Sequence, residues 1–107
     1  MSRSYGEFNP ALTKAINRVA ARGHTEQVWF ATHARRAMDD DDFDDSDVMM
    51  CLRKGKAHGP EFQNGELRAN VTYRGKQIRV SVGAIEYAEN DWSKLVRFTV
   101  VTVMREV

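Results

Sequence analysis

Apolar side chains recur at helical spacing near the beginning of the sequence. Asn9 followed by Pro10 is a favourable helix start, because the Asn side chain can accept a hydrogen bond from a free backbone amide and Pro has no amide to satisfy. Five apolar residues then follow at helical spacing, and Gly23 can end the helix. The pattern predicts an amphipathic helix over residues 10–22.

The next part of the sequence predicts a short strand and two further helices. Residues 28–32 are bulky and prone to form β-structure, and Trp29 and Phe30 should pack in the core. Residues 33–38 indicate a short helix. The aspartate-rich segment 39–47 separates that helix from the next one.

The aspartate-rich segment fits helix capping. An Asp or Ser at positions 44–46 can cap a helix that contains the apolar run 48–52, and carboxylates in the first turn suit the positive end of the helix dipole. Gly55 can end this helix. We interpret the segment mainly as helix capping, and a docking site for a basic partner is the alternative.

From residue 56 onward the apolar period changes from helical to alternating. Residues 67–73 and 77–82 alternate around a tight Gly-Lys turn, which predicts a hairpin with one polar face. Residues 56–63 predict an edge strand that a Gly-Pro pair makes irregular. The Val-rich and Thr-rich run 95–104 contains a Val doublet, which predicts a strand that is bulged or covered on both faces.

Together these elements predict a single α+β domain, residues 1–107, with helices packed on one face of a small antiparallel sheet. Residues 1–8 should be flexible, 9–55 mainly helical and 56–107 the sheet. The uncovered face of the sheet should be polar and cationic without a single acid. Its predicted members are Arg68, Asn70, Thr72, Arg74, Gln77, Arg79, Ser81, Arg97 and Thr99.

Composition narrows the class of protein. The chain has 107 residues, 42% of them hydrophobic, which suffices for one core. Its single Cys excludes an intrachain disulfide, and no stretch has the pattern of a signal peptide or a membrane span. We therefore expect a cytoplasmic protein. No metal-ligand spacing or phosphate-binding glycine motif is present, so no cofactor is expected.

The net charge of +1 conceals three segments of different charge. Residues 1–38 carry six Lys and Arg against two acids, and residues 48–107 carry ten against six. Residues 39–47 carry seven Asp. A nearly neutral chain can therefore present a basic working surface.

Several short motifs resemble a bacterial domain family of unknown function that is grouped with RelE-like folds. The family opens with H-A-x-x-x-M and closes with V-x-T-V-x-R, which correspond here to residues 33–38 and 100–105. The similarity covers residues 28–106. The order of helices and strands also resembles that of MqsR-type toxins. This chain departs from the family at 39–43, where an acidic run replaces a sequence such as R-G-I-S.

The resemblance implies a RelE-like fold and a small ribonuclease toxin, neutralised by a protein antitoxin and acting on RNA or on the ribosome. Metal-independent RNA cleavage needs a base for the ribose 2′-hydroxyl and cations for the charged transition state. His and Arg side chains can supply both.

The residues assigned to catalysis are His33, Arg36, Arg79 and Arg97. Those assigned to RNA binding are Arg68, Arg74, Lys76 and Arg105. Those assigned to a protein partner are Asp40, Asp41, Asp42 and Trp92.

Each assignment has a structural alternative. His33 can instead pack against the sheet, and His24 and His58 fit a turn residue and a solvent-facing residue. Arg79 and Arg97, predicted as neighbours on adjacent strands, can instead form a face that serves solubility. The alternation of residues 67–73 places Tyr73 on the apolar side of its strand, which favours core packing. Two functional alternatives stay open: a non-catalytic module that binds a protein through the acidic segment, and an RNA-binding protein without cleavage.

Overall fold

The computed structural model describes residues 6–22, 27–89 and 91–106. Three helices precede most of the sheet: α1 (Pro10–Ala21), α2 (Thr32–Asp40) and α3 (Asp45–Lys54). All three were predicted, to within about two residues at most ends. The turns assigned to Gly23 and His24 lie outside the described residues.

The helix starts follow the capping chemistry of the sequence. The side chain of Asn9 accepts a hydrogen bond from the amide of Leu12 at 3.0 Å. Asp44 and Asp47 form a reciprocal capping box at the start of α3, where each side chain accepts from the other residue's backbone amide, at 2.9 and 3.0 Å. The interpretation of the aspartate-rich segment as helix capping is confirmed at these residues.

Five strands form one mixed sheet: β1 (Val28–Phe30), β2 (Lys56–Gln63), β3 (Glu66–Tyr73), β4 (Ile78–Glu86) and β5 (Arg97–Arg105). Their spatial order is β1-β5-β4-β3-β2. Strands β2 to β5 pair antiparallel, as predicted, whereas β1 pairs parallel with β5. Val101 is an extra residue in β5, because Ser81 pairs with Thr102 and Val82 pairs with Val100.

The core lies between the sheet and the three helices, and the α+β class with N-terminal helices is confirmed. Every buried side chain among the described residues is apolar. The largest of those that are fully buried are Phe98, Leu12, Ile16, Leu52 and Ile78. Removing these side chains from water is the main favourable term in folding. No helix in the described part of the chain is long and apolar enough to cross a membrane.

The positions of two tryptophans differ from the predictions or refine them. Trp29 is 68% exposed, so its assignment to the core was wrong. It pairs with Thr99 on the uncovered face of the sheet, while its neighbours Val28 and Phe30 face the helices. Trp92, assigned to a protein partner, is half-buried against the core and packs on Tyr87 with 4.3 Å between ring centroids.

Candidate functional site

The arginine-bearing face of the sheet is neutralised by acids, so the prediction of an acid-free face was wrong. Three ion pairs join Arg68 to Glu66 at 2.8 Å, Arg97 to Glu86 at 3.4 Å and Arg79 to Glu106 at 3.9 Å. Glu66 and Glu86 lie at strand ends and Glu106 lies one residue beyond β5. The predicted face was taken from the strand interiors, so it did not include these acids. Partly exposed pairs of this kind add little stability, but each carboxylate offsets the positive charge of its Arg.

Arg79 and Arg97 are also not neighbours, contrary to the prediction. Arg79 pairs with Met104 across the sheet, whereas Arg97 pairs with Glu86. Residues 97 and 104 are seven positions apart on β5, about 23 Å at roughly 3.3 Å per residue. Arg97 begins β5 and Arg79 is the second residue of β4, and antiparallel strands begin at opposite ends of a sheet. The two guanidinium groups therefore cannot grip successive phosphates.

The remaining residues predicted to act on RNA are dispersed. His33 and Arg36 are exposed on α2, which packs on β5. Lys76 pairs with Asp47 at 2.9 Å. Arg105 donates to the backbone oxygen of Asp41 at 2.6 Å, and its guanidinium lies 4.6 Å from the centroid of the ring of Phe43.

The predicted partner-binding acids are only partly available. Asp41 accepts a hydrogen bond from the amide of Arg105 at 3.1 Å and so ties the end of α2 to β5. Asp40 and Asp42 are exposed, and Asp42 adopts a left-handed conformation at φ 61°. The acidic surface available to a partner is thus smaller than the seven aspartates suggested.

A basic pocket of about 470 Å³ lies at the corner of the sheet where α3 ends and β2 begins. None of its eight lining residues, all of them described, is acidic. They are Lys54, Gly55, Lys56, His58, Thr72, Tyr73, Arg74 and Gly75. No ion pair formed between described residues involves its two lysines or its arginine. Of the residues predicted to bind RNA, only Arg74 lines this pocket.

Gly55 brings the end of α3 close to the start of the sheet. A Cβ at this position would lie 2.5 Å from the carbonyl oxygen of Cys51 and 2.6 Å from that of Thr72, so no other residue fits without movement. Gly55 has φ −80° and is extended, rather than left-handed as in the usual glycine stop. Lys54 and Lys56, the neighbours of Gly55 in the sequence, both line the pocket.

His58 is a half-buried residue of the pocket lining. Its Nε2 atom lies 3.4 Å from the hydroxyl oxygen of Thr72. Burial, and then the charge of Lys56, lower the pKa of His58 from its ordinary value near 6.5. The imidazole is therefore neutral at pH 7 and can accept a proton. Its assignment as a solvent-facing residue missed this half-buried environment.

Phe8 lies next to the pocket. Its ring centroid is 6.0 Å from that of His58, and Nζ of Lys56 lies 5.8 Å from the Phe8 centroid. Residue 8 belongs to the segment 1–8 that was predicted to be flexible, and no sequence pattern indicated that it would lie beside the pocket. The run Lys54-Gly55-Lys56-Ala57-His58, with a basic side chain at every second position, was the one feature that could have indicated the pocket.

Two other clefts are less suited to an anion. A groove of about 570 Å³ between α1 and α3 is lined by Asp44 and Asp45 as well as Arg53. A smaller one, about 250 Å³, lies beside Trp29 and contains the Arg97–Glu86 pair. Among the described residues, no group of three or more His, Cys, Asp or Glu side chains could hold a metal ion.

Comparison with known proteins identified no relative of this chain. No family model matches the chain, and neither a characterised protein nor a solved structure matches it.

Proposed function

We propose that this protein binds RNA through the basic pocket. The observation that carries the proposal is the convergence of Lys54, Lys56 and Arg74 around a cavity whose lining contains no acid. Three cations held together without carboxylate partners repel one another, and a phosphate backbone relieves that repulsion. The volume of the pocket is within the range of sites that hold a small ligand, which fits one nucleotide unit.

We further propose that the protein cleaves the bound RNA, as the resemblance to RelE-like toxins implies. His58 accepts the proton of a ribose 2′-hydroxyl, and the 2′ oxygen forms a bond to the adjacent phosphorus. The bond from phosphorus to the 5′ oxygen breaks, and that oxygen takes a proton from water. The products are a 2′,3′-cyclic phosphate and a 5′-hydroxyl. The lysines and the arginine stabilise the charge that develops on the phosphate oxygens.

As a toxin of this kind, the protein would act in the cytoplasm on transcripts or ribosomes. An antitoxin-like partner would neutralise it by covering the pocket with acidic side chains. The exposed Asp40 and Asp42 support a separate partner-binding function only weakly, because neighbouring aspartates are engaged within the chain.

RNA binding is tested by fluorescence anisotropy with a short labelled single-stranded RNA. We expect the Lys54→Ala/Lys56→Ala variant to bind at least about tenfold more weakly than wild type, since it loses two phosphate contacts. The charge-matched control is Arg68→Ala/Arg97→Ala, which removes two cations that already have acidic partners. Equal losses in both variants would show that net charge, and not the pocket, determines binding.

Cleavage is tested by following the same RNA on a denaturing gel and identifying the product ends by mass spectrometry. We expect His58→Gln to abolish cleavage and to leave binding within about twofold of wild type, because binding depends on the cations. A substrate with 2′-deoxyribose throughout should bind without being cut. The control His33→Gln should retain cleavage. The opposite result, loss with His33→Gln alone, would assign the reaction to the histidine of the sequence motif.

A further inference from the structure

Phe8 is a large apolar side chain that is 49% exposed beside a cluster of cations. Its ring is tilted by 58° to that of His58, and Lys56 lies on its face. An aromatic face next to a phosphate-binding lysine is a recurrent arrangement for holding a nucleotide, because the base stacks while the backbone pairs with the cation. Phe8 is therefore a candidate stacking platform.

The backbone holds Phe8 at this position. Residues 7–9 lie along β2: the carbonyl of Glu7 accepts from the amide of Gly59 at 2.8 Å, and the amide of Asn9 donates to the carbonyl of Ala57 at 2.9 Å. Phe8 itself forms a bridge with His58. Because the segment is anchored on both sides, the ring needs little ordering when a ligand arrives, which favours affinity.

We propose that the pocket takes single-stranded RNA, with one unpaired base stacked on Phe8 and the adjoining phosphate on Lys56. This inference rests on the proposed RNA binding and specifies its substrate class. In a duplex the faces of the bases are covered by their neighbours, and only phosphates and sugars are offered to the protein. A duplex would thus meet the cations of the pocket and gain nothing from Phe8.

The experiment compares oligoadenylate RNA with the same strand annealed to oligouridylate. Wild type should bind the single strand more tightly than the duplex by between about fivefold and a hundredfold, the range expected for one stacked base. Phe8→Ala should lose that preference, and Phe8→Trp should keep it. The matched control is Phe62→Ala, which removes a ring of the same type that is 73% exposed at the far end of β2.

A second measurement separates stacking from a disturbed fold. The probes are a series of oligoadenylates, each with a single abasic site at a different position. Wild type should bind one probe of the series more weakly than the others, whereas Phe8→Ala should bind all of them with equal affinity. Equal affinity of wild type for single strand and duplex would overturn the inference while leaving RNA binding intact. A Phe8→Ala variant that binds the single strand as tightly as wild type would likewise overturn the inference and leave RNA binding intact. A wild-type protein that binds neither probe would overturn the proposed function as well.

Discussion

His58 links the basic pocket to the stability of the fold. Because its pKa in the folded protein lies below the ordinary value, the unfolded chain binds more protons than the folded one as the pH falls through the region near and below 6.5. The stability associated with the neutral ring is thus present above that pH and is lost on acidification.

We expect the free energy of unfolding to fall between pH 7.5 and pH 5.5, and to fall less in His58→Gln, which has no ring to protonate. Urea denaturation of both proteins at the two pH values measures this difference. If the free energy of unfolding fell equally with pH in wild type and His58→Gln, Lys56 and burial would not disfavour the charged ring.

Cys51 offers a probe of folding at a single residue. Burial raises the pKa of its thiol to about 12, and its Sγ lies 3.4 Å from the carbonyl oxygen of Val71. The thiolate is the reactive form, so the native protein should react with a disulfide reagent at least about a hundredfold more slowly than the chain in urea. A colorimetric thiol assay measures both rates. Rapid reaction of the native protein would show that α3 detaches readily from β3.

At the scale of single elements, the capping box of α3 carries a measurable part of the stability. Asp44→Ala removes the acceptor for the amide of Asp47, which should cost about 1 kcal/mol, within the range of about 0.5–2 kcal/mol for N-caps. Chemical denaturation measures this loss. Asp40→Ala is the matched control: it removes an exposed carboxylate from the last turn of α2, where a negative charge opposes the helix dipole, and should cost nothing.

The elements that the sequence predicted correctly are those that local chemistry determines. The Asn9 and Asp44 caps, the alternation of β3 and β4 and the extra residue in β5 follow from neighbours within a few positions. The orientation of Trp29 could also have been inferred, because a period of two places it opposite Val28 and Phe30. The bulky composition of the run led to the wrong assignment.

The candidate site could not be predicted because its members meet through pairings between distant segments. Phe8 reaches His58 across 50 positions, and the basic pocket forms only when the end of α3 meets the end of β3. The registers that separate Arg79 from Arg97 and bring Glu86 beside Arg97 depend on the strand ends and bulges of β4 and β5. An alternating pattern identifies the side of the sheet on which a residue lies but not its neighbours on the adjacent strands.

At the scale of the whole molecule, the distribution of charge predicts how RNA binding should depend on salt. If the three cations of the basic pocket each contact one phosphate of a single strand, the logarithm of the binding constant should fall with the logarithm of salt concentration with a slope of roughly −2. Lys56→Ala should make the slope shallower by about 0.7. Anisotropy titrations at several salt concentrations measure both slopes. A much steeper slope for wild type would indicate that the arginine-bearing face also contacts the backbone.

The parallel pairing of β1 with β5 has a consequence for synthesis of the chain. Val28 is opposite Phe98, so β1 is made 70 residues before β5, the strand beside it in the described sheet, and β5 also supplies the surface on which α2 packs. A ribosome makes the chain from the N-terminus, and pairing over such a separation has to wait for the later strand to emerge. A nascent chain halted before residue 97 would thus hold three helices and an incomplete sheet, with the backbone edge of β4 unpaired and the apolar side of α2 open to chaperones or proteases.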